Sequence, residues 1–305
     1  MTDQGFQPMR TLIPDLWAKV ASVSTIVSVL RFTLGTIVCL GFPKIALALT
    51  VSIGPSQPSQ GDTIVVRVET TDPAPVLQWR NQSYPLFAVG NKRFRALLPT
   101  TPLDTPGTST LTVQAEGQGR QFKITLSDRD FPTQSIWLPP GDDDLGTDLE
   151  FDRVDAFKRL VTPQKRWSGA FLRPTDGEVT TVYGVQRYYN GDFAEDYYHR
   201  GVDYGAATGT PVVAPAAGRV ALVGREAEGF ELHGNTVGLD HGQGVLSIFL
   251  HLSQINVQEG EVVTAGQVLG RVGSTGIATG PHLHWGLYVQ GKAVDPVPWR
   301  FEGIE

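Results

Sequence analysis

All six histidines of the 305-residue chain fall between positions 199 and 284, and two groups of them have spacings that suit chemistry. The first is His199-Arg-Gly-Val-Asp203. The second is His282-Leu-His284, set in Thr279-Gly-Pro-His-Leu-His-Trp285. On a β-strand, residues i and i+2 share a face. His282 and His284 then stand side by side, with Leu283 turned into the core. One imidazole can meet a metal while the other stands beside the metal's open position. Gly201, Val202 and Gly205 disfavour a helix around the first group. It reads as a loop running into a strand, able to bring a histidine and a carboxylate together. His199, Asp203 and His284 would form a three-ligand set of nitrogen and oxygen donors. Zinc suits such a set and keeps a fourth place for water, whereas magnesium or calcium calls for more oxygens. His251 closes the run 245–251, on the face shared by Val245, Ser247 and Phe249, where a side chain can look into a groove. His233 and His241 each adjoin a glycine in an expected turn and read as surface or satisfied core residues.

The elements that must position these residues are mostly strands. From Trp167 onward the chain is rich in glycine and β-branched residues. Strands are expected over 210–223, 235–240, Val245–Leu250, 262–272 and 283–289. Two stretches resemble each other, Gly209-Thr-Pro-Val-Val-Ala-Pro-Ala-Ala-Gly-Arg-Val220 and Gly260-Glu-Val-Val-Thr-Ala-Gly-Gln-Val-Leu-Gly-Arg-Val272, which points to an internal duplication within one β domain over 167–305. Residues 49–128 carry further short alternating runs and no histidine. They read as a small β-sandwich-like accessory domain, a spacer or wall-docking module. Residues 129–166 read as a linker. It holds an exposed turn at Pro139-Pro140-Gly141 and Asp142 to Asp144, then a short helix over 149–160. The acids Glu150 and Asp152 come early in that helix and Lys158 and Arg159 late, which suits the helix dipole. The fold class is mainly β.

The segment 1–48 differs in kind. Arg10, Lys19 and Arg31 precede an apolar run over 32–43, and Ala46-Leu47-Ala48 fits a small-x-small cleavage pattern. The segment reads as a secretory signal with a long basic lead. The alternative is an uncleaved anchor, with membrane association through residues 20–48. Arg31 and Lys44 hold each apolar run to about a dozen residues, short of the roughly 20 a clean span needs. Cys39 is the sole cysteine, which excludes an intrachain disulfide and a cysteine metal site. Thr36-Ile37-Val38 makes a poor context for a lipid on it. A net charge of −6 argues against a nucleic-acid partner. The expected location is exported: periplasm, cell envelope or extracellular.

Residues 168–299 resemble the lysostaphin-like, LytM-type zinc endopeptidases. The resemblance rests on His199-Arg-Gly-Val-Asp203-Tyr, Gly209-Thr-Pro-Val-Val-Ala-Pro, Gly234-Asn-Thr-Val, Phe249-Leu-His251-Leu-Ser and Gly280-Pro-His282-Leu-His284-Trp. Trp167-Ser-Gly-Ala-Phe-Leu-Arg-Pro and Tyr183-Gly-Val-Gln-Arg resemble the family's lead-in. The resemblance implies one zinc on His199, Asp203 and His284. It makes His251 and His282 the unligated catalytic histidines, and gives an antiparallel β domain with an open groove. It implies hydrolysis of peptide bonds in the cross-links or stems of bacterial peptidoglycan. The rival from another class is a non-enzymatic wall-binding regulator that activates another cell-wall hydrolase; some family members have lost ligands and act so. Phe249 stands where the family often has tyrosine, so a hydroxyl that could help bind substrate is missing.

Overall fold

A computed structural model of the chain describes residues 49–137 and 146–304. The signal or anchor segment, Cys39 and the turn at 139–144 lie outside the described residues. No described helix is long and apolar enough to cross a membrane. The mainly β expectation holds.

Eight strands build the first part: β1 (Thr50–Gly54), β2 (Thr63–Glu69), β3 (Val76–Trp79), β4 (Gln82–Tyr84), β5 (Phe87–Gly90), β6 (Arg93–Pro99), β7 (Gly107–Ala115) and β8 (Gln118–Leu126). They form two four-stranded sheets, β1-β2-β6-β5 and β4-β3-β7-β8. Alternation puts Ile64, Val66, Val68, Ala96 and Leu98 of one sheet against Leu77, Trp79, Leu111, Val113 and Ile124 of the other. Burial of each valine, leucine or isoleucine among them contributes about 1.5–3 kcal/mol. The alternate positions Val65 and Leu97 are buried as well, and they join the core of the histidine-bearing part. The first sheet is therefore covered on both faces over this stretch. Arg95, only 1% exposed, lies at the same seam. It donates to the Ile304 carbonyl at 3.2 Å and to the Gln243 side chain, and lies over the Trp167 ring.

Next come β9 (Thr133–Ile136) and α1 (Asp148–Lys158). Helix α1 starts where Thr147 caps it, its hydroxyl accepting from Glu150 N at 3.2 Å. It buries Val154 and Phe157, one turn apart on one face. Phe157 fits where Gly238 has no side chain; a Cβ there would lie 2.7 Å from the ring.

The remainder comprises β10 (Glu178–Thr181), β11 (Gln186–Tyr189), β12 (Asp192–Phe193), β13 (Val202–Gly205), β14 (Pro211–Val213), β15 (Gly218–Gly224), β16 (Thr236–Gly242), β17 (Val245–Leu250), β18 (Leu252–Ile255), β19 (Val262–Val263), β20 (Val268–Val272), β21 (His282–Val289) and β22 (Lys292–Val294). The large sheet runs β10-β13-β21-β17-β16-β15-β19, with β22 on β21. A small sheet, β14-β20-β18, accompanies it, and β9 pairs with β11 in the sheet β12-β11-β9. The stretches expected as single strands over 210–223 and 262–272 are each broken in two. Pro215 cannot donate to a ladder, and Gly266 turns at φ +81. The duplicated segments pair crosswise: β14 with β20, and β15 with β19, both antiparallel.

Candidate metal and peptidase site

Strands β13 and β21 set two of the donors opposite each other. Asp203 pairs with His284 across the antiparallel ladder, and Tyr204 with Leu283. Opposed residues share a face. Asp203, His282 and His284 thus look out of one side of the sheet, while the fully buried Leu283 and Tyr204 look into the core on the other. Gly201, just before β13, leaves room for the site. A Cβ there would lie 2.4 Å from the Trp285 carbonyl and 2.8 Å from the His284 ring.

His199 arrives from the loop before β13 and is tied at three points. Its N–H donates to Val185 O at 2.8 Å and its carbonyl accepts from Gly184 N at 2.9 Å. Its Nδ1–H donates to Val182 O at 2.8 Å. A carbonyl can only accept, so Nδ1 carries the proton and Nε2 is left with its lone pair. That Nε2 lies 3.1 Å from Asp203 Oδ1 and 3.0 Å from His284 Nδ1, and His284 Nδ1 lies 2.9 Å from Asp203 Oδ1. Among the described residues these three are the one group of His, Cys, Asp or Glu side chains that converges enough to hold a metal ion. Donors on a tetrahedral zinc at about 2.1 Å stand about 3.4 Å apart, a few tenths of an ångström from what is found. The donors, a carboxylate and two imidazoles of which one is held by a carbonyl behind it, fit zinc. Burial alone would raise Asp203, but the His199 and His284 imidazoles set against it outweigh that and hold the carboxyl below the usual carboxylate range. Burial, before any other cause, lowers His284 and so favours its neutral, metal-binding form.

His251 and His282 stand beside this set, with ring centroids 4.8 Å apart. His282 Nδ1–H donates to Gly280 O at 2.9 Å, and His251 Nδ1–H donates to Thr275 O at 2.9 Å. Each therefore keeps an Nε2 lone pair. Burial, the largest cause, pushes His251 down to about 3, so it is neutral at ordinary pH.

His251 does not reach the site by the route its strand suggests, which corrects the expectation for its face. Strand β17 pairs Leu250 with His284 and Phe249 with Trp285. Leu250 thus shares the site face, and continued alternation would send His251 to the core with Phe249. The strand ends first, and His251 adopts φ +62. That left-handed turn, costly for a non-glycine residue, is what brings the ring to His282. Phe249 itself is fully buried on the Trp285 side, so its missing hydroxyl removes nothing from the site face.

His241 is also corrected. It lies in β16 rather than in a turn and is fully buried. Its Nδ1–H donates to Ala217 O at 2.9 Å, and its Nε2 accepts from Ser247 Oγ at 2.9 Å. Trp285 Nε1 donates to Ser247 Oγ at 3.3 Å, anchoring β21 from below, one residue after His284. Sequence reasoning missed the carbonyls of Val182, Thr275 and Gly280. Every residue has a carbonyl, so nothing in the sequence marks them.

Residues 197–296 match the family model described as Peptidase family M23. The chain carries a peptidase domain of family M23. The protein named DD-carboxypeptidase/endopeptidase Mpg, from Neisseria meningitidis serogroup B, is 44% identical over 99 residues, which is 32% of this chain and 22% of that protein. Peptidoglycan DD-endopeptidase ShyA of Vibrio cholerae is 39% identical over 97 residues, again 32% of this chain and 22% of its own length. The match thus spans about a fifth of these relatives. A solved structure described as a putative peptidase M23 from Pseudomonas aeruginosa covers 80% of this chain and 95% of its own, with a TM-score of 0.59 and 29% identity. That likeness extends well beyond 197–296.

Proposed function

We propose that this chain, through its M23 domain, is a zinc-dependent endopeptidase hydrolysing peptide bonds in the cross-links or stems of bacterial peptidoglycan. One observation carries the reading. Three donors converge within about 3 Å of one another, and beside them lie two imidazoles, each with its Nδ1 proton held by a carbonyl. The kinship with proteins named as endopeptidases, one of them a peptidoglycan DD-endopeptidase, supports the substrate class.

His199, Asp203 and His284 would hold the zinc, which supplies Lewis-acid activation of a water and of the scissile carbonyl. The remaining work belongs to the chain. His251 and His282 are held in one tautomer, so one Nε2 can accept the proton of the attacking water. The other, once its Nε2 also carries a proton, can steady the developing oxyanion or give that proton to the leaving amine, and the proton taken from water restores it. A non-enzymatic regulator would have no use for this second pair. The character of the segment 1–48 supports export to the periplasm, envelope or medium, with positions 20–48 available for membrane association.

Mass spectrometry of fragments released from defined peptidoglycans tests the reading. New peptide termini that vanish with chelator and return with zinc are expected. Intact peptides after incubation with zinc-loaded protein would overturn it.

A further inference from the structure

Glu150 of α1 belongs to no part of the chemistry above, yet it is fully buried and has a partner beside the site. Its two carboxylate oxygens accept from Leu232 N, each at 3.1 Å, and the His233 N–H also donates to it. In the usual helix start, a glutamate here turns back to the cap residue. This one does so, accepting from the Thr147 N–H, and it also reaches across to the loop 229–235. Its neighbour Thr147 reaches that loop as well, donating to the Gly229 carbonyl at 2.6 Å.

That loop ends on His251. The His233 carbonyl accepts the His251 backbone N–H at 3.1 Å. Gly234 packs on Thr275 so closely that a Cβ would lie 2.4 Å from the Thr275 backbone. Asn235 N donates to Thr275 Oγ1 at 2.9 Å, and Ile277 N to Leu232 O at 3.0 Å. Thr275 O in turn accepts from the His251 ring. Backbone and ring of His251 thus rest on one small assembly. Left-handed backbone at a non-glycine residue persists only where the surroundings over-determine it. A buried carboxylate is costly unless hydrogen-bonded, and beside its bond from the Thr147 N–H this one accepts from Leu232 and His233 of the loop that supports His251. The His233 ring is not the link: its Nδ1 is 3.5 Å from Glu150 Oε1 and has no hydrogen-bond partner among the described residues.

We infer that Glu150 is a positioning residue for His251: helix α1, from outside the β domain, holds the 229–235 loop and through it the strained conformation and single tautomer of the proton-transfer histidine. The inference rests on the function proposed above.

The test uses the full chain loaded with zinc. Glu150→Ala should lower kcat by about tenfold or more, with KM and zinc content little changed. Glu150→Gln keeps one acceptor oxygen and should recover part of the loss. In a His251→Ala background, Glu150→Ala should cost less than about twofold, because its effect runs through the missing ring. A purely structural role predicts the same fractional loss in both backgrounds and would overturn the inference. A second readout is independent of turnover: NMR of isotope-labelled histidine in folded protein. The wild type should show His251 with its proton on Nδ1, and Glu150→Ala should show mixed tautomers. An unchanged His251 signal would overturn the inference even if the wild type cut no peptide. A wild type without activity but with the expected NMR change would instead sink the proposed function alone.

Discussion

The sandwich's outer sheet and the sheet that carries the histidines solve opposite problems. In β4-β3-β7-β8 one face meets water, and β8 alternates toward its end between exposed and buried residues. Thr108 and Thr125 pair through their hydroxyls at 2.8 Å on the wet side. In β16 and β17 every residue is buried, and in β21 every residue but His282. One-sided sheets spread their stabilisation over many replaceable residues. A two-sided sheet must satisfy polar groups inside itself, as His241, Ser247 and Trp285 do, and each such group becomes indispensable. The sandwich's inner sheet falls between the two. Ile64 and Leu98 face its own core, while Val65 and Leu97 face that of the histidine-bearing part.

The sharpest test of this contrast falls on the histidine-bearing sheet itself. His284→Ala removes a donor, so zinc and activity should be lost together. His282→Ala should retain zinc and lose about 10²–10⁴ in rate, the range for a positioned proton-transfer group. Paired elemental analysis and kinetics check this. Loss of zinc from a folded His282→Ala protein would break the division between ligand and catalyst.

Next is the seam. Were the sandwich a free-standing spacer, Leu97→Ala would be nearly harmless. With Leu97 buried at 1% exposure, it should cost about 2–5 kcal/mol, comparable to Leu98→Ala. Urea unfolding of both variants decides the point. A cost for Leu97 alone no larger than that of an ordinary surface substitution, about 0.5 kcal/mol, would restore the independent module.

The pH response should be smaller and belong to the two-sided sheet. Burial, the largest cause, pushes His241 down to about 4 from an ordinary 6.5. Between those values the unfolded chain binds a proton that the fold excludes, so stability falls as pH drops from about 6.5 toward 4. The loss should approach about 3 kcal/mol at pH 4. His241→Gln should be less stable at pH 7 but show a flatter decline, read from urea midpoints across that range. Equal slopes would remove His241 as the cause. Smallest of all, Thr125→Val on the wet face should stay within about 0.5 kcal/mol, and a larger loss would undercut the contrast.

Much of the site is legible in the residues. The His-x-His spacing on a strand does place His282 and His284 on one face, and Asp203 follows His199 into the strand that pairs with it. The helix is legible too, from its cap and charge order, although Glu150 serves the neighbouring loop rather than the dipole alone. Where strands are buried on both faces the pattern loses its phase. Alternation by itself therefore leaves His251 on the core-side face of Phe249, and the adjoining glycine points His241 to a turn; neither holds in the fold.

The sequence by itself determined which side chains could bind metal or move protons, the strand and helix segments that hold them, and the duplicated pair of motifs. These are carried by side-chain type and local spacing, which any stretch of chain displays. Only the tertiary structure decided how the pieces meet. It sets the left-handed turn at His251 and makes the duplicated segments pair crosswise. It gives Val65 and Leu97 a second core. It also fixes which nitrogen of His199, His251 and His282 keeps its lone pair. The physical reason is common to all four: they depend on backbone carbonyls and packed surfaces contributed by residues far away in the chain, and a carbonyl looks the same whatever side chain it carries.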